Sequence, residues 1–365
     1  MLPGGKKVSS ERGIDSPGPG KENEVSEQVK TRSRKQRVLG VGVFVLAALG
    51  LSGVALGQDK QDKKEEPPPV TSSRSFKLSG YTQFLYTYWD AGVDSFAIPR
   101  ARLTLSAELV KNIRFRIQID GVKSPALIDA NVDFLFNPAY GLRIGQYYVP
   151  VSLENNTSDA EMDTILRSLV VIALAPSRDI NSQGRDIGAM FMGRYSIAEY
   201  YFGVFNGAGI NKVDTNKAKD LSGRLILHPL KSLAVGGSFY DGRNNPVLAG
   251  PDLVRDRIGL EAAWLPGAFS LKGEYLWAKD DQTSKSGWYL QGGYFILPKK
   301  LQAIVKWDTY DNNLDLSNNR LDLLTLGANW FIWEKTKVMV NYALYRREGE
   351  GTTNQAISVQ FQAGF

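Results

Sequence analysis

The segment 354–365 alternates between apolar and polar residues up to its last position. The apolar members are Ile357, Val359, Phe361, Ala363 and Phe365, and the residues between them are Ser358, Gln360, Gln362 and Gly364. A period of two predicts a β-strand. A strand with an apolar face that runs to a terminal aromatic residue is typical of a closed membrane barrel, in which the last strand pairs with the first and the apolar face meets lipid. The alternative is the C-terminal strand of an ordinary β-sandwich.

The composition favours a barrel over a helical membrane protein. The 365 residues include 16 Tyr, 16 Phe, 7 Trp and 36 Gly, and the mean hydropathy is −0.24. A helical membrane protein would be far more apolar. In alternating strands the apolar, lipid-facing residues are offset by polar ones, so the mean hydropathy stays near zero. We therefore expect a large all-β domain.

Cysteine and histidine usage excludes several kinds of site. The chain has no Cys, so disulfides and thiolate metal sites are unavailable. Its single histidine, His228, stands beside Pro229 and is predicted to be a turn residue. Histidine-clustered metal sites and a Ser/His/Asp triad elsewhere in the chain are excluded. We expect no cofactor, no metal and no catalytic residue.

The N-terminal 57 residues read as an export leader. Residues 38–57 are the only long apolar run, preceded by the basic stretch 30–37 and ended by the small residues Ala55-Leu56-Gly57. This pattern predicts a secretory signal peptide, with a single membrane anchor as the alternative. Residues 1–28 are polar, so translation is expected to begin near Val29, or these residues form a disposable extension. Residues 58–75 are charged and then Pro-rich, which predicts a periplasmic linker.

The predicted leader accounts for most of the net positive charge of the chain. Residues 1–57 hold nine Lys/Arg and five Asp/Glu, and subtracting these from the 44 and 38 of the whole chain leaves 35 against 33. The mature chain is therefore close to +2. The basic charge gives no indication of a nucleic-acid partner.

From Phe76 to Phe365 the chain is a series of alternating segments. We predict sixteen strands, at 76–89, 98–109, 112–120, 129–136, 140–148, 185–194, 198–206, 219–228, 232–241, 254–264, 268–278, 285–297, 300–310, 320–332, 336–346 and 354–365. Connections after even-numbered strands are short, and those after odd-numbered strands are longer and more polar. Outer-membrane barrels have this arrangement of short periplasmic turns and long external loops. We predict an all-β, 16-stranded antiparallel transmembrane β-barrel, with both termini on the periplasmic side.

The connection 149–184 is unlike the others. Residues 159–169 have helical spacing and residues 169–174 are apolar. A loop of this length inside a compact fold is normally functional. Because an apolar stretch avoids water, we expect the segment to fold into the barrel as a constriction loop. The alternatives are an external lid or a subunit contact.

The alternation also assigns charges to the lumen. In the predicted second and third strands one face carries leucine or isoleucine and the other carries Arg100, Arg102, Arg114 and Arg116. An arginine facing lipid costs about 2–4 kcal/mol, so these four are predicted to face inward. The same rule places twelve basic and eight acidic residues inside. This excess of basic residues favours a preference for anions; the alternative is a wall of balanced ion pairs.

The predicted pore-lining and anion-binding residues come from the strands and the long loop. Adjacent Arg-x-Arg pairs joined by a tight turn are expected to form one cluster of four guanidinium groups, faced by Arg167 and Arg178. The full set is Lys77, Arg100, Arg102, Arg114, Arg116, Arg143, Arg167, Arg178, Arg224, Arg255, Arg257 and Lys306.

Several of these stretches resemble the phosphate-selective porin O/P family. The resemblance is carried in order by residues 98–105 (IPRARLTL), 127–133, 142–150, 167–169, 184–188 and 203–207, and covers roughly Phe76 to Leu230. It implies a sixteen-stranded trimeric barrel with a basic channel that passes anions, phosphate in the best-known members. Pro99 stands where many relatives have another arginine, and the family's central lysine site is not assigned to a particular residue here, so phosphate specificity does not carry over directly.

The expected function is passive diffusion of small hydrophilic solutes through the bacterial outer membrane, with a preference for anions and with phosphate or polyphosphate as the narrower candidate. The expected partners are membrane lipid, two further copies of the chain, small anions, and the barrel-assembly machinery through the strand ending at Phe365. The alternatives are a general non-selective porin and a plugged structural or adhesin barrel. An outer-membrane phospholipase is disfavoured because it needs a base at the external rim, whereas His228 is predicted at a periplasmic turn.

Overall fold

The protein is described by a computed structural model over residues 76–244, 251–351 and 353–365; the predicted leader (1–57) and linker (58–75) lie outside the described residues. The strands are β1 Phe76–Trp89, β2 Ser95–Val110, β3 Ile113–Asp120, β4 Leu127–Asn137, β5 Tyr140–Tyr148, β6 Arg185–Tyr195, β7 Ala198–Phe205, β8 Asp220–Leu230, β9 Leu233–Asn244, β10 Leu253–Trp264, β11 Phe269–Asp280, β12 Thr283–Leu297, β13 Leu301–Asp311, β14 Leu321–Trp333, β15 Thr336–Arg347 and β16 Thr353–Gly364. Two short helices, α1 Leu153–Asn156 and α2 Leu169–Leu174, lie between β5 and β6.

The sixteen strands close into one antiparallel barrel. Each strand pairs with its neighbours in sequence, and β1 pairs with β16 in a register that includes Gln83 opposite Gln362. The closure continues to the last residue, where Phe365 N donates to Gly80 O at 3.0 Å. The predicted fold class is confirmed, and every predicted strand boundary lies within three residues of the observed one.

The two ends of the barrel differ. Connections at one end, here called the turn end, are 111–112, 138–139, 196–197, 231–232, 265–268, 298–300 and 334–335. The opposite loop end carries 90–94, 121–126, 149–184, 206–219, 245–252, 281–282, 312–320 and 348–352.

One connection at the loop end is shorter than predicted. The sequence suggested a longer loop after β11, but β11 and β12 are joined by residues 281 and 282 alone. Asp281 has a φ of 52°, a left-handed conformation that aspartate tolerates in tight turns. Strand pairing can therefore continue to Asp280 opposite Thr283.

Side chains alternate between an apolar outer face and a polar interior. On β10, Ile258 is 52% exposed and the preceding Arg257 is 2% exposed. On β13, Val305 is exposed and Lys306 is buried. The arginines therefore face inward, as the cost of placing them in lipid predicts. Among the described residues, no helix has the length and apolarity needed to cross a membrane.

Replacing Ile258, which lies near the middle of β10 on the outer face, should test this assignment. Ile258→Arg is expected to lower the free energy of unfolding by about 2–4 kcal/mol in phospholipid vesicles, because the charge would face the bilayer midplane. Ile258→Leu is the control and should change it by less than about 0.5 kcal/mol. Equal effects of the two variants would contradict an outward, lipid-facing position.

Candidate pore

The connection 149–184, hereafter the inward segment, lies inside the barrel and contacts the inner wall through α1. This helix begins after Ser152, whose hydroxyl accepts a hydrogen bond from Asn155 N at 3.0 Å. The backbone N–H groups of Leu153 and Glu154 donate to the Glu274 carboxylate of β11, at 2.9 and 2.6 Å. A wall carboxylate therefore satisfies N–H groups that a helix start leaves unpaired.

The helix α2 packs on the inner wall of β11, β12 and β13. Its side chains Val170, Val171 and Leu174 are buried. They belong to one apolar cluster whose other members are Tyr147, Val149, Val151, Ala175, Met190, Phe205, Tyr240, Leu276, Ala278 and Tyr289. The apolar sequence of this stretch is thus covered within the barrel, where the hydrophobic effect stabilises the segment.

Asp159 connects the inward segment to β2. Its carboxylate lies 3.1 Å from Arg100 Nη2 and 2.8 Å from Arg102 Nη1, and it also pairs with Arg167 of the segment itself at 2.8 Å. Arg102 in turn pairs with Asp120 of β3 at 3.0 Å. Three guanidinium groups therefore share one buried carboxylate, and this network ties the segment to the wall.

The charge state of Asp159 follows from these neighbours. Burial alone would raise the pKa of its carboxyl, but the guanidinium groups of Arg100, Arg167 and Arg102 outweigh burial and hold the pKa well below its usual range. Asp159 is therefore ionised at neutral pH, and the ion pairs remain fully formed there.

Further ion pairs hold the inward segment to the opposite wall. The Glu154 carboxylate accepts from Lys306 Nζ of β13 at 2.8 Å and from Ser168 N at 2.7 Å. Asp163 pairs with Lys272 of β11 at 2.7 Å. Asp179 accepts from both Arg255 and Arg257 of β10. The segment is thus bound on both sides of the barrel.

The twelve predicted pore-lining residues differ in their burial. Six side chains are buried, and an acid neutralises each of them: Arg102, Arg167, Arg224, Arg255, Arg257 and Lys306. Burial limits the access of a solute to these side chains, although Arg224 borders the central cavity described below, and their role as pore-lining residues stays a prediction. Their burial has a physical reason: three of the neutralising acids, Glu154, Asp159 and Asp179, come from the inward segment.

The remaining six are Lys77, Arg100, Arg114, Arg116, Arg143 and Arg178. The most accessible of the ion-paired ones are Arg114 and Arg116, with 60% and 45% of their side-chain surface exposed. Arg143 is 29% exposed and pairs with Asp133. Arg178 donates from Nε to Asn155 Oδ1 at 2.6 Å. Among the predicted residues, accessible positive charge is therefore found on β3, at Arg114 and Arg116, and also at the exposed Lys77 of β1.

The predicted cluster of four arginines does not form. In the β2–β3 register Arg102 faces Asp120, whereas Arg116 faces Ser106 and Arg114 faces Glu108. At about 3.4 Å per residue, Arg116 lies roughly 13 Å along the strands from Arg102. The prediction was wrong because it considered adjacency alone, although counting back from the turn at 111–112 would have separated the two pairs.

Open space follows the wall from β3 to β8. A central cavity of about 370 Å³ is lined by Arg116, Asp129, Asn131, Arg143, Tyr147, Tyr148, Pro150, Asn156, Met190, Glu199, Tyr201, Arg224 and Ile226. A second one, the lower cavity, has about 480 Å³ and lies between the segment residues Ser158–Asp163 and the turn end of β14 and β15. Arg116 lines both cavities.

His228 is not a turn residue, because β8 continues to Leu230. Its Nε2 atom lies 3.1 Å from Glu199 Oε1 of β7. Among the described residues, no group of three or more His, Asp or Glu side chains has the arrangement of a metal site.

The acids of the inward segment are the functional residues that sequence reasoning missed. The segment carries five acids against two arginines, whereas the predicted inner wall had twelve basic against eight acidic residues. The excess of acids on the segment is therefore close to the excess of basic residues on the predicted wall. That complementarity was the available signal that the segment pairs with the wall.

A closed sixteen-stranded barrel whose interior holds a long inward segment defines the porin class of outer-membrane channels. The family model of phosphate-selective porin O and P matches residues 80–254 and 241–365, so the chain belongs to that family. No curated protein sequence matches the chain.

Solved structures of porins are similar in fold. The outer membrane channel DcaP of Acinetobacter baumannii has a TM-score of 0.61 at 10% identity, covering 81% of this chain and 98% of that one. OmpF of Salmonella typhi, in complex with daunomycin, has a TM-score of 0.61 at 8% identity, with 80% and 97% covered. The trimer form of OmpT from Vibrio cholerae has a TM-score of 0.59 at 10% identity, with 80% and 99% covered.

Removing the charge of Asp159 should loosen the inward segment. Asp159→Asn leaves three guanidinium groups without their shared carboxylate, and we expect about 3–5 kcal/mol of destabilisation together with faster amide hydrogen exchange in residues 153–170. The control is Asp241→Asn at the loop end, where the pair with Arg243 is exposed and worth less than about 1 kcal/mol. Unchanged exchange in the segment of the Asp159 variant would show that its apolar packing alone holds it.

Proposed function

We propose that the protein is a passive channel for small hydrophilic solutes that prefers anions. The observation that carries this proposal is the unequal exposure of paired charges in the central cavity. Arg116 exposes 45% of its side chain and its partner Asp129 exposes 5%, while Arg143 exposes 29% and its partner Asp133 exposes 14%. The other acid of the lining, Glu199, exposes 23% of its side chain. A solute in this cavity therefore meets guanidinium groups more than carboxylates, and such a lining favours anions.

The inward segment supports the same preference. At the central cavity it presents Pro150 and Asn156, which carry no charge. Its acids Glu154 and Asp159 are buried in ion pairs with the wall. No strong negative field from the segment therefore opposes the arginines across the central cavity.

Phosphate or polyphosphate is the narrower form of this proposal. It is supported by the description of the family and by the planar fork of arginine, which matches oxyanions through two parallel N–H groups. Arg100 and Arg102, the arginines of the family motif, are engaged by Asp159. Any phosphate preference therefore depends on other arginines.

A second candidate is a plugged barrel, which the inward segment itself favours. It contacts the wall at β1 and β2 through Asp159, at β13 through Glu154 and at β15 through Ile165, whose N–H donates to Asn341. A segment bound on so many sides could close the lumen. This candidate predicts no conductance.

Planar bilayers with a salt gradient separate these candidates. We expect the purified protein to produce discrete conductance steps and a reversal potential whose sign shows anion preference. The absence of steps would favour the plugged barrel. A reversal potential near zero would indicate a non-selective porin, and a cation-selective sign would contradict the proposal.

Export and assembly form a further part of the proposal. Residues 38–57 have the pattern of a cleaved signal peptide, and the family resemblance implies a homotrimer. The trimer form of the similar OmpT structure supports the second point.

Native mass spectrometry of protein purified from membranes tests both points together. We expect a complex of three chains, each with a mass that corresponds to a start near Gln58. A chain mass that includes residues 38–57 would indicate an uncleaved anchor, and a complex of one chain would contradict the trimer.

A further inference from the structure

We propose that Arg116 of β3 is the residue that discriminates oxyanions from other anions in this channel, whereas Arg100 and Arg102 of the family motif serve to position the inward segment. The proposal rests on the anion preference proposed above and deepens it by assigning selectivity to one side chain. The residue that sets selectivity therefore lies outside residues 98–105 of β2, which carry the resemblance to the porin family.

Arg116 lies where the open spaces meet. It lines both the central cavity and the lower cavity, and it is the one residue that their linings share. A solute that moves from one cavity to the other therefore passes its guanidinium group. The inward segment limits the space around this arginine. It lines the lower cavity with Ser158, Ala160, Glu161 and Asp163, and the wall adds Lys335 and Lys337 to the same lining.

The guanidinium of Arg116 is held loosely. Its Nε lies 3.4 Å from Asp129 Oδ2, while the other oxygen of Asp129 accepts from Arg185 Nε at 2.6 Å. When the Gln118 amide is turned so that its oxygen faces Arg116, Nη2 donates to it at 3.1 Å. Nη1 has no hydrogen-bond partner within the described part of the chain. The group is oriented by its neighbours and still has donors to offer a solute.

Arg102 shows the opposite situation. Its Nε donates to Asp120, its Nη1 lies within hydrogen-bond distance of Tyr81 Oη and Asp159, and its Nη2 donates to Gln183. Only 3% of the residue is exposed. Turning Arg102 towards a solute would break several charge-assisted bonds at once, and such bonds are among the strongest in proteins. Its role is to anchor the segment.

The chemistry of the arginine side chain determines which anions it binds best. A guanidinium group offers parallel N–H donors that bind two oxygens of phosphate, sulfate or a carboxylate, whereas a halide can accept from only one point in space. A lysine at the same place keeps the charge but loses this fork. Anion preference and oxyanion discrimination can therefore be separated by substitution.

The experiment compares Arg116→Lys and Arg116→Gln with the wild-type channel in planar bilayers. Two readouts are taken: the reversal potential in a potassium chloride gradient, and the concentration of inorganic phosphate that halves the chloride current. Arg116→Lys should keep the anion-selective reversal potential and need about tenfold more phosphate, as expected for the loss of one charge-assisted hydrogen bond. Arg116→Gln should lose both properties.

The matched control is Arg114→Gln. Arg114 is on the same strand and the same inward face, pairs with Glu108 at 3.6 Å and lines neither of the two cavities. It should leave the phosphate concentration unchanged within a factor of about two. An Arg116→Lys channel that phosphate blocks like the wild type, or an equal effect of Arg114→Gln, would overturn the assignment to Arg116.

The wild-type measurements keep this inference separate from the proposed function. If the wild-type channel is anion-selective and the Arg116 variants behave like it, the function stands and the assignment of Arg116 fails. If the wild-type channel has no anion preference, the proposed function itself fails. Heat-modifiable migration on gels shows that each variant has folded into a barrel before the currents are compared.

Discussion

The constraint on which the whole structure depends is that a backbone in lipid has no water to bond with. Every N–H and C=O group in the barrel wall must find a partner on a neighbouring strand, and only closure removes the two open edges. The pairing of β1 with β16 achieves this as far as Phe365. Once the sheet is closed, the period of two assigns each side chain to lipid or lumen, so polar residues gather inside.

A sixteen-stranded barrel leaves an interior that side chains of the wall cannot fill. Here the inward segment occupies much of it, with an apolar helix against β11–β13 and acids distributed towards β2, β10, β11 and β13. These acids neutralise most of the excess positive charge of the wall. Many of the ion pairs in the lumen therefore hold the segment in place, and the most accessible of the predicted arginines, Arg114 and Arg116, lie on β3.

The outcome at individual residues shows how far sequence reasoning extended. Arg102 and Arg116 look alike in the sequence: both belong to an Arg-x-Arg pattern and both face inward. Strand alternation placed both correctly, because facing lipid is costly for either one. It could not separate their roles, since Arg102 meets Asp159, 57 residues away in the chain, and Arg116 does not. His228 and the tight turn at Asp281 were misassigned for a more local reason, namely strand pairing that continued further than turn-forming residues suggested.

The sequence by itself determined the class of architecture, the number and limits of the strands, the inward direction of the charges and the position of the exceptional connection. These follow from short-range periodicity and from the energetic cost of a charge in lipid, which depend only on neighbouring residues. The tertiary structure decided which of the inward arginines are consumed in ion pairs and which stay accessible. That choice depends on contacts between residues far apart in the chain, and it leaves Arg116 exposed between two cavities while Arg102, Arg255 and Arg257 are buried.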